Sequence, residues 1–91
     1  MDLKLKGKRA LVTGATRGIG RAIAETLAGE RVNLGICARK EAEVAATVES
    51  LRAKGVAAYG AAVDVTRDAD VKDWVAHSAE QLGGLDIIVS N

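Results

Sequence analysis

The chain has 91 residues, 48% of them apolar and 27% charged, with a formal net charge of +1. That length holds one small domain at most, and that balance argues against disorder and against a basic footprint for nucleic acid or an anionic membrane. No apolar run approaches the roughly 18 residues that cross a bilayer, the run at 10–12 is too short for a signal peptide, and Cys37 stands alone, so a reducing, cytoplasmic setting is expected.

Phenylalanine and proline are absent, and Tyr59 and Trp74 are the only aromatics. A core of Ala, Val, Ile and Leu suits strands covered by helices on both faces and leaves no stacking platform for single-stranded nucleic acid. Lys4, Lys6, Lys8 and Arg9 read as a solvated lead-in. Residues 9–13 then predict a buried strand. Residues 18–28 predict a helix with Ile19, Ala22, Ile23, Thr26 and Leu27 on its inward face. A short strand is expected at 34–38 and a helix at 41–54, with Val44, Ala45, Val48 and Leu51 inward and Gly55 as a stop. A strand follows at 56–63. A third helix carries Val71, Trp74, Val75, Ser78, Ala79 and Leu82 on one face and closes at Gly83-Gly84. A fourth strand is expected at 85–90. Strands alternating with helices imply parallel pairing and right-handed crossovers.

The segment Thr13-Gly14-Ala15-Thr16-Arg17-Gly18-Ile19-Gly20 lies between the first strand and the first helix. Gly14 lets the chain turn off the strand, Gly18 clears space for a pyrophosphate, and Gly20 lets helix and strand pack closely. The helix N-terminus offers N–H groups and a partial positive charge to phosphates. A plain glycine-rich turn is the alternative, and the position between strand and helix favours ligand binding. Arg21 follows Gly20 where a nucleoside-triphosphate loop would need Lys and Ser or Thr.

Dinucleotide sites usually carry an acid about 20 residues after the loop to hold the adenosine ribose. Here Ala38 and Arg39 stand at that strand end. A guanidinium pairs with a 2′-phosphate that an acid would repel, and Arg17 could reach the same phosphate. The pattern points to NADP(H) over NAD(H). The alternative for Arg39 is a solvated strand end.

The residues at 13–20, Asp64-Val65 after the third strand and Ile-Val-Ser-Asn at 88–91 together resemble the short-chain dehydrogenase/reductase family, over essentially the whole chain from Lys6 to Asn91. The resemblance implies cofactor contacts from Gly14, Thr16, Arg17, Gly18, Ile19, Gly20 and Arg39. It also implies that the Asp64 carboxylate meets the adenine amino group, with Val65 at the ring edge and Asn91 near the adenosine ribose. Read locally, Asp64 is a strand-end acid capping the next helix, with Thr66 the better N-cap. Ser90 stands where the family usually has Asn. Glycine is missing from the position after the first helix where the family often has one, in the stretch Gly29-Glu30-Arg31. The resemblance further implies a reversible hydride transfer between nicotinamide and a small-molecule carbonyl or secondary alcohol, and a homo-oligomer, dimer or tetramer. The family's catalytic Ser, Tyr and Lys would lie beyond Asn91, so no catalytic residue is assigned here. Tyr59 has Val63, not Lys, four positions on and reads as a residue of the third strand.

No metal site is expected: His77 reads as a surface residue, and Asp68, Asp70 and Asp73 as first-turn acids that suit a helix dipole. Cys37 reads as a buried, inert thiol. The expected fold is a Rossmann-type, doubly wound α/β sheet of strand order 3-2-1-4 that breaks off after strand four. Residues 1–91 would then be the N-terminal part of a single NADP(H)-binding domain. A cofactor-sensing module without catalysis and a fragment that pairs through its apolar fourth strand are the alternatives. A Tyr-x-x-x-Lys beyond Asn91 would separate the first reading from both.

Overall fold

The computed structural model describes residues 4–91. Seven elements follow in order: β1 (Arg9–Thr13), α1 (Gly18–Gly29), β2 (Asn33–Ala38), α2 (Glu41–Arg52), β3 (Ala58–Ala62), α3 (Asp68–Leu82) and β4 (Ile87–Val89). The four strands form one sheet in the order β3-β2-β1-β4, every neighbouring pair parallel, as expected. Val12 lies opposite Ile36 on one side and Val89 on the other. The direction of strand addition therefore reverses at β1, and the crevice there opens at the strands' C-terminal ends. Among the described residues no helix is long and apolar enough to cross a membrane.

Strand alternation sorts the core onto two faces. Ala10, Val12, Leu34 and Ile36 pack with Ala24 and Ala28 of α1 and with Val44, Val48 and Leu51 of α2. Leu11 and Cys37 face the other way, toward Trp74 of α3. The Trp74 indole Nε1–H donates to the Ile36 carbonyl at 3.0 Å, so this large side chain is buried with its polar atom satisfied. Gly35 has no side chain where Leu11 and Ser78 crowd in: an added Cβ would lie 2.6 Å from Leu11 Cδ2 and 2.9 Å from Ser78 Oγ.

The inward faces of two helices differ from expectation. In α1 the fully buried positions are Gly20, Ala24 and Ala28. Ile23 and Leu27 are half-buried, and Ile19, Ala22 and Thr26 are exposed, Ile19 at 73%. The helix rests most closely on its smallest residues because Gly20 is held against the glycine loop, while Ile23 and Leu27 still pack against the core as expected and Ile19, Ala22 and Thr26 turn outward. In α2, Ala45 is exposed and Thr47 takes its place in the core. The Thr47 hydroxyl donates to the Glu43 carbonyl at 2.9 Å and accepts from Arg21 Nη1 at 3.3 Å, which makes burial of a polar side chain affordable.

Several boundaries also shift. The third strand starts at Ala58, not residue 56, and the Ala57 N–H is taken by the Asn33 side chain at 2.9 Å. Arg52 ends α2 two residues early, and its Nε and Nη2 both donate to the Ala58 carbonyl of the outer strand, at 3.2 and 3.0 Å. The fourth strand spans only 87–89, and Asp86, just before it, is engaged by Arg9. Arg9 is thus no solvated lead-in. Its backbone N–H and Nε donate to Asp86 Oδ2 at 2.9 and 3.0 Å, and its Nη1 donates to the Gly83 carbonyl at 2.7 Å, which sets β4 beside β1. These hydrogen bonds hold the Asp86 carboxyl below its ordinary range.

The end of α1, which no glycine marks, is closed by Arg31 in the left-handed region at φ 66°. Val32 N–H donates to Leu27 O and Arg31 N–H to Ala28 O, both at 3.0 Å, the double bond of a Schellman turn. The Arg31 side chain donates to the Lys54 carbonyl at 3.0 Å. A left-handed L-residue costs about 1 kcal/mol, whereas an exposed hydrogen bond contributes about 0.5 kcal/mol. Arg31→Gly is therefore expected to raise stability by roughly 0.5 kcal/mol, read from the urea midpoint of the intact protein. A lower midpoint would show that the Lys54 contact outweighs the backbone strain.

Candidate functional site

Gly14, at φ +60°, turns the chain off β1, and Gly18, at φ +54°, opens α1. Both lie in the region that only glycine enters without strain. A Cβ on Gly18 would meet no heavy atom within 4 Å, so the face above it is open. Gly20 is the opposite case: a Cβ there would overlap the Gly14 carbonyl and lie 2.8 Å from Asn91 Nδ2. Its packing partner is thus the loop's own backbone and Asn91, whereas the sequence suggested the strand. Asn91 closes the arrangement from the end of β4, its N–H donating to Thr13 Oγ1 at 2.8 Å and its Nδ2 lying 3.5 Å from the Gly14 carbonyl. The helix α1 has no side-chain cap and no acid in its first turn, so its positive end stays uncompensated there.

A cleft of about 370 Å³ opens beside this loop, at the C-terminal ends of β1 and β2. It brings together Gly14, Thr16, Arg17, Arg39, Val65 and Asn91 of the residues expected from sequence. Gly18, Ile19, Gly20 and Asp64 do not line it. Ile19 instead borders a shallow apolar groove on α1 with Ala22, Ile23, Thr26 and Leu27.

The cleft also contains Thr13 and Ala38, which the sequence places at the loop and at the end of β2, and Lys40, Glu43 and Val63, which sequence reasoning missed. Val63 reads only as the last residue of the third strand. Nothing in the spacing of Glu43, in the first turn of α2, links it to Arg17, 26 residues earlier in the chain. Yet Arg17 Nε and Nη2 donate to the two Glu43 oxygens, each at 3.1 Å. Thr16 Oγ1 lies 3.3 Å from the same carboxylate and Lys40 Nζ 3.8 Å from it. The Arg17 hydrogen bonds, opposed by some desolvation, hold Glu43 below the usual carboxylate range.

Asp64 makes a local turn. Its Oδ1 accepts from Thr66 N–H at 2.9 Å and Thr66 Oγ1–H at 2.7 Å, and those bonds lower its pKa. The N-cap of α3 is Arg67, without a side-chain cap, so Thr66 is not the cap that its type suggested. The other Asp64 oxygen lies 3.7 Å from Arg39 Nη2, and the Arg39 side chain is 79% exposed. Cys37 is buried beneath the cleft, and desolvation raises its pKa, as suits an unreactive thiol. Tyr59 is a half-buried residue of β3 packed against the Trp74 cluster, away from the cleft.

A parallel sheet with this reversal, and a glycine loop running into a helix at the reversal point, define the Rossmann-type class of α/β proteins. The family model described as short chain dehydrogenase matches residues 8–91, and the chain belongs to that family. Among curated proteins, the 3-oxoacyl-(acyl-carrier-protein) reductase FabG of Staphylococcus epidermidis is 40% identical over 85 residues, covering 92% of this chain and 35% of that protein. Among solved structures, L-sorbose reductase from Gluconobacter frateurii, complexed with NADPH and L-sorbose, superimposes with a TM-score of 0.95 at 38% identity, over 100% of this chain and 35% of that one. An NAD+-bound xylitol dehydrogenase gives a TM-score of 0.88 at 33% identity, over 93% of this chain and 33% of that one. The chain therefore spans about a third of the length of the relatives it matches. These relatives are reductases and dehydrogenases, and the family binds nicotinamide cofactors.

Proposed function

We propose that the chain forms the cofactor-gripping part of an NADP(H)-dependent oxidoreductase acting on a small-molecule carbonyl or secondary alcohol. The observation that carries this is the cleft's charge: Arg17, Arg39 and Lys40 line it, and Ala38 stands at the end of β2 where an NAD site would place an acid. Two of the structural relatives, the L-sorbose reductase and an actinorhodin polyketide ketoreductase, are complexes with NADPH.

The residues present fit such a cofactor. The open face over Gly18 and the uncapped start of α1 suit a pyrophosphate. Arg17 and Arg39 carry donors for a 2′-phosphate, with Thr16 beside them. Val65, 53% exposed, offers an apolar edge to adenine beside Asp64. Asn91 and Gly20 keep the loop in its turn, with Ile19 contributing its backbone at the helix start. When bound, the dinucleotide supplies or accepts the hydride. This chain's own residues bind and orient it.

Fluorescence titration of the intact protein tests the proposal. NADPH is expected to bind at least about tenfold more tightly than NADH, a difference of about 1.4 kcal/mol. Uptake of neither nucleotide, or a preference for NADH, overturns it.

A further inference from the structure

We propose that Glu43 is a selectivity-determining residue, a fixed counter-charge that lies against Arg17 and restrains the cleft's preference for a 2′-phosphorylated dinucleotide. This rests on the cofactor reading above and assigns a role to a residue outside it.

Glu43 is the one acid among the described residues that line the cleft, facing Arg17, Arg39 and Lys40. Its carboxylate occupies the Nε–Nη2 edge of Arg17 with two hydrogen bonds of 3.1 Å. A guanidinium has five N–H groups in a planar fork, so the Nη1 end stays available to a second anion. Glu43 therefore does not block Arg17. It lays the side chain along α2 and cancels part of its charge where a phosphate would sit.

A folding role does not explain this arrangement. The Arg17 side chain is 68% exposed, and an ion pair in that setting adds little stability. The helix dipole of α2 already has Glu41 in its first turn. What the carboxylate does change is the field in the cleft. Repulsion between a carboxylate and a phosphate dianion a few ångströms further out, in a solvent-exposed cleft, is worth about tenfold in affinity and weakens with salt. NADH has no 2′-phosphate and is nearly blind to it.

The test compares the intact wild-type protein, E43Q and R39D by fluorescence titration with NADPH and NADH, at low salt and at about 0.5 M salt. Glutamine keeps the shape and one acceptor and removes the charge. E43Q is expected to bind NADPH about tenfold more tightly at low salt with NADH changed less than about twofold, and the gain should shrink at high salt. A merely structural role would move both nucleotides together, and that result overturns the inference. Weaker NADPH binding by E43Q also overturns it, since Glu43 would then be a clamp that Arg17 needs. If R39D erases a wild-type NADPH preference while E43Q leaves it unchanged, the Glu43 role fails and the cofactor reading stands. If the wild type shows no such preference, both fall.

Discussion

Arg39→Asp is expected to remove about 2–4 kcal/mol of preference for NADPH over NADH, the scale of one or two charge-assisted hydrogen bonds and a change of roughly 30- to 1,000-fold in the affinity ratio. In the structure the Arg39 side chain is 79% exposed and held only loosely, with Nη2 3.7 Å from Asp64 Oδ2. A guanidinium so free gives little to folding, so its loss should leave the melting temperature nearly unchanged. The substitution also puts an acid next to the strand end where an NAD site holds the adenosine ribose, so NADH affinity should hold or rise. The new carboxylate would itself repel a 2′-phosphate. Titration of the intact variant with both nucleotides measures the ratio. An equal loss for both would place the phosphate elsewhere and remove the physical basis for NADP(H) selectivity here.

Gly20→Val is expected to destabilise the intact protein by roughly 3 kcal/mol and to abolish dinucleotide uptake. The cause is local and steric. An added Cβ overlaps the Gly14 carbonyl, a backbone atom that cannot swing aside, and crowds Asn91 Nδ2 at 2.8 Å. Relief would require α1 to lift from β1 or the loop to leave its turn. Either movement displaces Arg17 and the helix start from the cleft. Gly29, in the same helix, is the control, because nothing lies within 4 Å of its would-be Cβ. Gly29→Ala is expected to gain up to about 1 kcal/mol from helix propensity alone. Urea midpoints separate the two cases. Comparable behaviour of the two variants would mean that close packing at Gly20 is not what shapes the loop.

The order of elements, the parallel sheet and the family were legible in the residues, because each depends on local pattern. Strand and helix periods show within a few residues, and the glycine spacing of the loop is itself a local feature. Gly14 and Gly18 could be assigned to a turn and an open face without coordinates, since their backbone angles follow from the motif. The failures share another cause. The inward face of α1 holds Ile23 and Leu27 as its period suggests but centres about one position away, because apolar periodicity records where large side chains sit. It does not record that the helix is pinned at Gly20 and approaches the sheet through Ala24 and Ala28. Thr47 was left out of the core because its hydroxyl finds partners on two helices, at Glu43 O and Arg21.

Pattern along the chain thus specified what kind of fold forms and where its phosphate-facing loop lies, since those are consequences of short-range stereochemistry and hydrophobic period. Packing in three dimensions settled which charges meet. Arg17 lies in the loop just before α1 and Glu43 in α2, and so far apart in the chain their approach follows from how α1 and α2 lie side by side on the sheet. Coulomb interactions depend on distance in space, and only the folded arrangement sets that distance.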